Sequence, residues 1–137
     1  MSTEDNKALG RRFVEEVYNQ GNVDAVDVLV SDQFVRHGIG GTMRGREIIK
    51  ERVRAVRSGF PDFRITIEDA LADGDKVVLR QTHTGTHLGE FAGVAPTGVR
   101  METTEISILR IADGKICEGW VSVDQLTMLR QIGALPV

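Results

Sequence analysis

Apolar residues in the first part of the chain recur with the period of an α-helix. The first such pattern has three apolar positions four residues apart, namely Leu9, Phe13 and Val17. Ser2 and Asp5 have the spacing of a capping box ahead of it, and the polar, glycine-containing segment 20–22 ends it. Two further apolar-periodic segments, 23–30 and 45–58, predict a second and a third helix.

From Phe63 onward the hydrophobic period changes from that of a helix to two. The predicted strands are 65–69, 76–87, 99–111 and 115–123. Turn residues at 73–75 and at 113–114 join them as hairpins. Helices followed by an antiparallel meander indicate an α+β fold with the helices on one face of the sheet, in one domain over residues 1–137.

Composition limits the classes of function. The chain has 137 residues, 41% of them hydrophobic, and a net charge of -3, which gives no basic surface for nucleic acid. Its apolar runs are shorter than the roughly 20 residues that span a bilayer. The polar, acidic start differs from a signal peptide, and Cys117 is the single cysteine of the sequence. We therefore expect no contact with membranes and a location in the reducing cytoplasm.

The last predicted strand ends in a carboxylate that is a candidate general base. Side chains alternate along a strand, so Glu118, Trp120, Ser122 and Asp124 share one face. An acid beside an indole is desolvated, which raises its pKa and strengthens it as a base. The alternative is structural, because an Asp just before an apolar-periodic segment is a good helix N-cap.

Several segments of the sequence resemble one known family. The segments are TEISILRIADGKI at 104–116 with Trp120 and Asp124 after it, LRQIG at 129–133, TGTHLGEFAGVAPTG at 84–98, RRFV at 11–14, YNQGN at 18–22 and FVRH at 34–37. Together they resemble SnoaL-like polyketide cyclases, also called ester cyclases. The resemblance covers nearly the whole chain.

This resemblance implies a fold and an activity. The implied fold is a cone-shaped, nuclear-transport-factor-like α+β barrel, in which a curved sheet surrounds the first helix and leaves a deep apolar pocket. The implied activity is ring closure of a small apolar carbonyl substrate by intramolecular aldol condensation without a cofactor. Asp124 aligns with the aspartate that acts as acid and base in the characterised cyclases. Ser107 stands where anthracycline-type cyclases carry a histidine, and a hydroxyl can hydrogen-bond but cannot hold a proton near neutral pH as an imidazole does.

Other polar residues are candidates for the pocket. His83 is a candidate catalytic residue and hydrogen-bond donor to a ligand. His87 is expected to have a structural role in the adjacent loop. The substrate-binding candidates are Tyr18, His37, Gln81, Glu105, Ser107 and Trp120. His37 begins a glycine-rich segment, 37–41, expected to be a flexible lip of the pocket. Four strand residues span roughly 13 Å, which is too far for His83 and His87 to share one metal ion, and no metal site is predicted.

Two other functions and one assembly remain open from the sequence. Epoxide hydrolysis or double-bond isomerisation occurs on related cones, and a non-catalytic protein could hold an apolar ligand on the same scaffold. Ile106 and Ile108 lie on the strand face opposite Ser107 and Leu109, so the predicted sheet is apolar on both sides. An apolar outer face needs a cover, which favours a homodimer.

Overall fold

Helices precede most of the strands along the chain, as the hydrophobic pattern predicts, but two unpredicted strands lie between the second and third helices. The structure is a computed structural model that describes residues 2–135. Its elements are α1 Thr3–Phe13, a π-helix Val14–Asn19, α2 Ala25–Leu29, β1 Val30–Gly38, β2 Gly41–Arg44, α3 Glu47–Gly59, β3 Arg64–Asp73, β4 Lys76–Thr86, β5 Arg100–Ala112, β6 Lys115–Val123 and α4 Gln125–Gln131. The capping box at Ser2 and Asp5 is confirmed, since each side chain bonds the other residue's backbone N–H.

The strands form one curved, open sheet in the order β2-β1-β6-β5-β4-β3. Neighbouring strands are antiparallel except β1 and β6, which run parallel, so the predicted meander was incomplete. Helix α1 packs on the concave face near β3 and β4 and buries Leu9 and Phe13 there, while Val17 of the π-helix is fully buried. The α+β class, with helices on the concave face, is confirmed. Each helix within residues 2–135 is too short or too polar to cross a bilayer.

The glycine-rich segment 37–41 lies in a β-hairpin. It links β1 to β2, and Gly40 and Gly41 have φ angles of 88° and 97°, which glycine adopts without a steric penalty. Neither strand was predicted from the sequence, because the alternation in β1 is short and irregular and β2 has four exposed residues. Its buried positions are Val30, Phe34 and Arg36, with exposed polar residues between the first two.

A bulge between β5 and β6 decides which side chains of β6 face the helices. Next to the turn, Ile111 pairs with Ile116, but one position further Arg110 pairs with Glu118, so β6 contains one extra residue. Beyond such a bulge every side chain of the strand changes face. Ile116 and Gly119 are therefore both buried although they are three residues apart, an odd spacing that a strand without a bulge would not give.

The loop between β4 and β5 is held against the end of α3 by close backbone contacts. The backbone N–H groups of Leu88 and Gly89 both donate to the carbonyl oxygen of Gly59. A Cβ atom on Gly89 would lie 2.1 Å from the carbonyl oxygen of Ser58, so no larger residue fits. This docking carries Phe91 of the loop into contact with Phe60, with ring centroids 5.2 Å apart.

We predict that Gly89→Ala destabilises the fold by roughly 1–3 kcal/mol, the usual cost of overpacking, because the new methyl group meets backbone that cannot rotate away. Gly10→Ala is the matched control. Its Cβ would meet side chains at 3.5 Å or more within α1, and alanine favours helix, so it should stabilise by about 0.5–1 kcal/mol. Urea unfolding monitored by circular dichroism measures both, and equal stability of Gly89→Ala and wild type would contradict the prediction.

Candidate functional site

A cavity of about 270 Å³ lies between the helices and the concave face of the sheet. Its walls are mainly apolar, and the apolar lining residues include Phe13, Val14, Phe34, Ile49, Phe63, Ile65, Leu79, Phe91, Leu109, Val121, Val123 and Met128. Its polar lining residues are Tyr18, Arg36, Arg52, Gln81, His83, Glu105, Ser107 and Gln125. A mostly apolar cavity with a few converging polar groups is the usual form of a small-molecule site.

Five of the predicted site residues line this cavity, four of them because of the alternation of side chains along the strands. They are Tyr18, Gln81, His83, Glu105 and Ser107. Every second residue of β4 faces inward, and Gln81 pairs directly with Glu105 on β5. The polar cluster is therefore built by two adjacent strands, with Tyr18 added from the π-helix.

Glu105 is the centre of a buried hydrogen-bond network. Gln81 donates from Nε2 to Oε2 of Glu105 at 2.6 Å and to Oγ of Ser107 at 3.1 Å. Burial raises the pKa of Glu105, while the Gln81 hydrogen bond and the charges of Arg36 and Arg52 act in the opposite direction. A carboxylate made more basic by burial and fixed through one oxygen can accept a proton at the other.

His83 faces the free oxygen of Glu105 across the cavity wall. Its Nε2 atom lies 3.8 Å from Oε1 of Glu105, beyond hydrogen-bond distance, and has no partner among the described residues. Burial lowers the pKa of His83 to about 4. The imidazole is therefore neutral at neutral pH, and its contact with Glu105 is not an ion pair. A neutral ring can donate a hydrogen bond to a ligand or accept one.

Tyr18 completes the polar side of the cavity. Its ring packs edge-on against Phe13, with centroids 5.7 Å apart. Burial, and then the negative charge of Glu105, raise the pKa of Tyr18 to about 12. Its hydroxyl stays protonated over the whole physiological range and can donate a hydrogen bond to a ligand oxygen.

Asp124 is a helix cap outside the cavity lining. Its Oδ1 accepts from the backbone N–H of Thr127 at 3.1 Å, and its Oδ2 accepts from the hydroxyl of Thr127 at 2.7 Å. These bonds lower the pKa of Asp124, and its carboxylate is exposed. The predicted rise in its pKa by burial beside Trp120 is wrong, because the carboxylate is solvated and engaged at the start of α4.

Trp120 and His37 lie on the outer face of the sheet. Their rings stack with centroids 5.4 Å apart, and Nε2 of His37 bonds Oε2 of Glu118 at 2.6 Å. The prediction that they line the pocket is wrong, since the bulge in β6 directs Gly119, Val121 and Val123 inward, and on β1 the inward residue next to His37 is Arg36. His87 is structural, as predicted, and its Nδ1 accepts from the backbone N–H of Thr97.

Sequence reasoning missed two cationic residues of the cavity. Arg36 comes from β1 and Arg52 from α3. The signal for Arg36 was its place two residues after the apolar Phe34, which becomes informative only once β1 is known to be a strand. Within residues 2–135 no group of three His, Cys, Asp or Glu side chains is arranged to hold a metal ion.

Comparison with known sequences identifies one family. The family model of SnoaL-like polyketide cyclases matches residues 8–132. Among curated proteins, the aklanonic acid methyl ester cyclase AcmA of Streptomyces galilaeus is 31% identical over 129 residues, which cover 92% of this chain and 89% of that protein.

Solved structures give the same fold. AclR from Streptomyces galilaeus superposes with a TM-score of 0.90 at 29% identity, covering 99% of this chain and 85% of that one. TsrD from Streptomyces laurentii gives a TM-score of 0.88 at 28% identity, covering 98% and 99%. The expected cone-shaped α+β fold is therefore confirmed, with the sheet open between its edge strands β2 and β3.

The buried neutral histidine predicts a specific dependence of stability on pH. The unfolded chain binds a proton on His83 near pH 6.5, but the folded chain does so only near pH 4. Stability should therefore fall as pH drops through this window, by about 3 kcal/mol for this group. His83→Gln should remove that part of the pH dependence, as measured by urea unfolding at pH 7 and pH 4. An NMR titration in which the ring of His83 protonates near pH 6.5 would contradict the prediction.

Proposed function

Because the chain belongs to the family of SnoaL-like polyketide cyclases, we propose that its cavity binds an apolar carbonyl compound and closes a ring by intramolecular aldol condensation, with Glu105 as acid and base. The observation that carries this proposal is the position of Glu105. It is the acidic side chain among the described residues that line the cavity, it is desolvated, and its Oε1 atom is free of hydrogen bonds to the described chain. The similarity to proteins named aklanonic acid methyl ester cyclases supports the reaction class.

The reaction needs one base, one acid and donors for developing negative charge. Glu105 removes a proton from a carbon activated by neighbouring carbonyl groups, and an enolate forms. The enolate carbon attacks a second carbonyl carbon of the same molecule, so a C–C bond forms while the C=O double bond becomes an alkoxide. Glu105 returns its proton to that alkoxide. All atoms and electrons balance without a redox cofactor or a metal, so we propose a cofactor-independent reaction. We also propose a cytoplasmic location, because the sequence has a single cysteine, Cys117, and therefore forms no internal disulfide.

Three cavity residues are suited to support these steps. Gln81 holds Oε2 of Glu105, which leaves Oε1 directed to the reacting carbon. The protonated hydroxyl of Tyr18 and the neutral imidazole of His83 donate hydrogen bonds to the enolate oxygen. The apolar walls exclude water, which strengthens these interactions and protects the intermediate from side reactions.

Two other functions are distinguishable from this one. Epoxide opening on this fold would need an Asp-Arg-Asp type cluster around a water, but Glu105 is the single acidic side chain among the described residues that line the cavity. Arg80 and Arg110 bond Asp69 and Glu118 outside the cavity lining. A non-catalytic binding protein would use the same cavity and return its ligand unchanged. Incubation with aklanonic acid methyl ester, followed by product analysis, separates turnover from binding.

We predict that Glu105→Gln lowers kcat by a factor of about 100 to 10,000, the usual contribution of a general base, on whichever carbonyl substrate is turned over. The acid limb of the wild-type pH–rate profile should lie above the ordinary glutamate pKa of about 4.3, because burial raises the pKa of Glu105.

Asp124→Asn is the matched control, because it also replaces an acid by its amide but at the helix cap. Asn caps helices about as well as Asp, so its rate and melting temperature should stay near those of wild type. The opposite result, an inactive Asp124→Asn and an active Glu105→Gln, would return the role of base to Asp124.

We also propose that the protein is a homodimer through the outer face of the sheet. Paired positions on successive strands place an apolar stripe across that face, consisting of Leu71, Val78, Ile108 and Trp120, with Ile106 beside it. Leu71 is 63% exposed and Ile106 is 51% exposed. A second copy of the sheet would remove this stripe from water.

Sedimentation velocity at micromolar concentration should show a dimer, and Ile106→Lys should shift it to monomer while the far-ultraviolet circular dichroism spectrum is unchanged. Burying the new ammonium in an apolar interface would be costly. Val28→Lys adds the same charge on α2, away from the sheet, and should leave the dimer intact. A monomeric wild type would refute the assembly.

A further inference from the structure

Arg36 is a buried cation of the cavity wall that the proposed ring closure does not use. Its residue is 4% exposed and lines the cavity, yet its Nη1 atom makes no hydrogen bond within the described chain. Buried guanidinium groups normally pair with a carboxylate or donate to carbonyl oxygens. Even the half-buried Arg57 follows this rule, since its Nη1 donates to the carbonyl oxygens of Tyr18, Asn19 and Phe63.

The position of Arg36 is set by the surrounding backbone. A Cβ atom on Gly38 would lie 2.8 Å from its Nη1, and the same Cβ would be 3.2 Å from the carbonyl oxygen of Val121. Glycine at position 38 therefore leaves the space into which the guanidinium fits. Arg36 itself is fixed on β1 by pairing with Gly119 on β6.

A second cation, Arg52, lines the same cavity from α3. It forms no salt bridge to another residue between 2 and 135. Burial and then the like charge of Arg52 lower the pKa of Arg36, although an arginine stays charged in a protein. Opposing charge comes from Glu105, the single acidic side chain among the described residues that line the cavity. The polar side of the cavity therefore carries an excess of positive charge.

We propose that Arg36 and Arg52 bind a carboxylate or equivalent anionic oxygen group of the ligand, so that this cavity selects acidic compounds with an apolar body. The inference rests on the proposed function for the location of the site and names the substrate class. A carboxylate supplies the hydrogen-bond acceptors that the guanidinium of Arg36 lacks. The parallel N–H donors of a guanidinium match the two oxygens of a carboxylate. The apolar walls receive the remainder of the molecule.

Isothermal titration calorimetry with 2-naphthoate and with methyl 2-naphthoate tests this selection, because the two probes share their rings and differ in charge. Wild type should bind the carboxylate at least about tenfold more tightly than the ester, which is the scale of a charge-assisted hydrogen bond. Arg36→Gln should abolish the preference, and Arg36→Lys should keep part of it. Arg54→Gln is the matched control, since Arg54 lies two residues from Arg52 on the exposed side of α3 and should not alter the preference.

Equal affinity of wild type for the two probes, or an unchanged preference in Arg36→Gln, overturns the proposal. Arg52→Gln gives a second test at a more accessible position, so the proposal stays refutable if Arg36→Gln does not fold. An unchanged preference in Arg52→Gln also counts against the proposal. The readout is binding and not turnover. A protein that prefers the carboxylate but turns over no carbonyl substrate would refute the proposed reaction and leave this inference standing, whereas turnover of esters without any preference would do the reverse.

Discussion

The pairing of β4 with β5 is the constraint on which the rest of this protein depends. Eleven consecutive residue pairs join the two strands, from Lys76 with Arg110 to Thr86 with Arg100. An uninterrupted register fixes the inward side of both strands over their full length. Val77, Leu79 and Met101 thereby enter the core, and Gln81, His83 and Glu105 enter the cavity on the same side.

Polar groups in that cavity are stable only because some of them satisfy one another. Gln81 bonds both Glu105 and Ser107, which offsets part of the cost of burying an amide and a carboxyl group. His83 and Arg36 each keep an unpartnered nitrogen within the described chain, at an expense in stability. Both residues line the cavity, so their unpartnered nitrogens are available to a ligand. Stability and function are therefore opposed at the same few residues.

The outer face of the sheet differs from the concave face, because Leu71 of its apolar stripe and Ile106 beside it remain more than half exposed. His37 stacks on Trp120 and bonds Glu118, and Glu118 also accepts from Arg110 at 3.0 Å. This polar network borders the stripe that contains Ile108 and Trp120. The two faces of one sheet thus serve two purposes, with ligand binding on the concave side and, as we propose, assembly on the other.

The sequence by itself determined the class of fold and most of the elements. Period-two patterns and the turn at Asp113 and Gly114 predicted the hairpins, and the spacing of Ser2 and Asp5 predicted the cap of α1, because these features depend on neighbours in the chain. Alternation within β4 also sufficed to place Gln81 and His83 together on an inward face.

The tertiary structure decided which face of β6 is internal and therefore which acid belongs to the site. One extra residue in β6 opposite Arg110 and Ile111 reverses the direction of every later side chain, so Trp120 faces outward and Val121 inward. Asp124 then falls at the start of α4, where the backbone N–H of Thr127 engages it. A bulge depends on how two strands pair and leaves no periodic signal in either one. Arg36 was hidden for a related reason, since its burial follows from the parallel pairing of β1 with β6, between residues 83 positions apart in the chain.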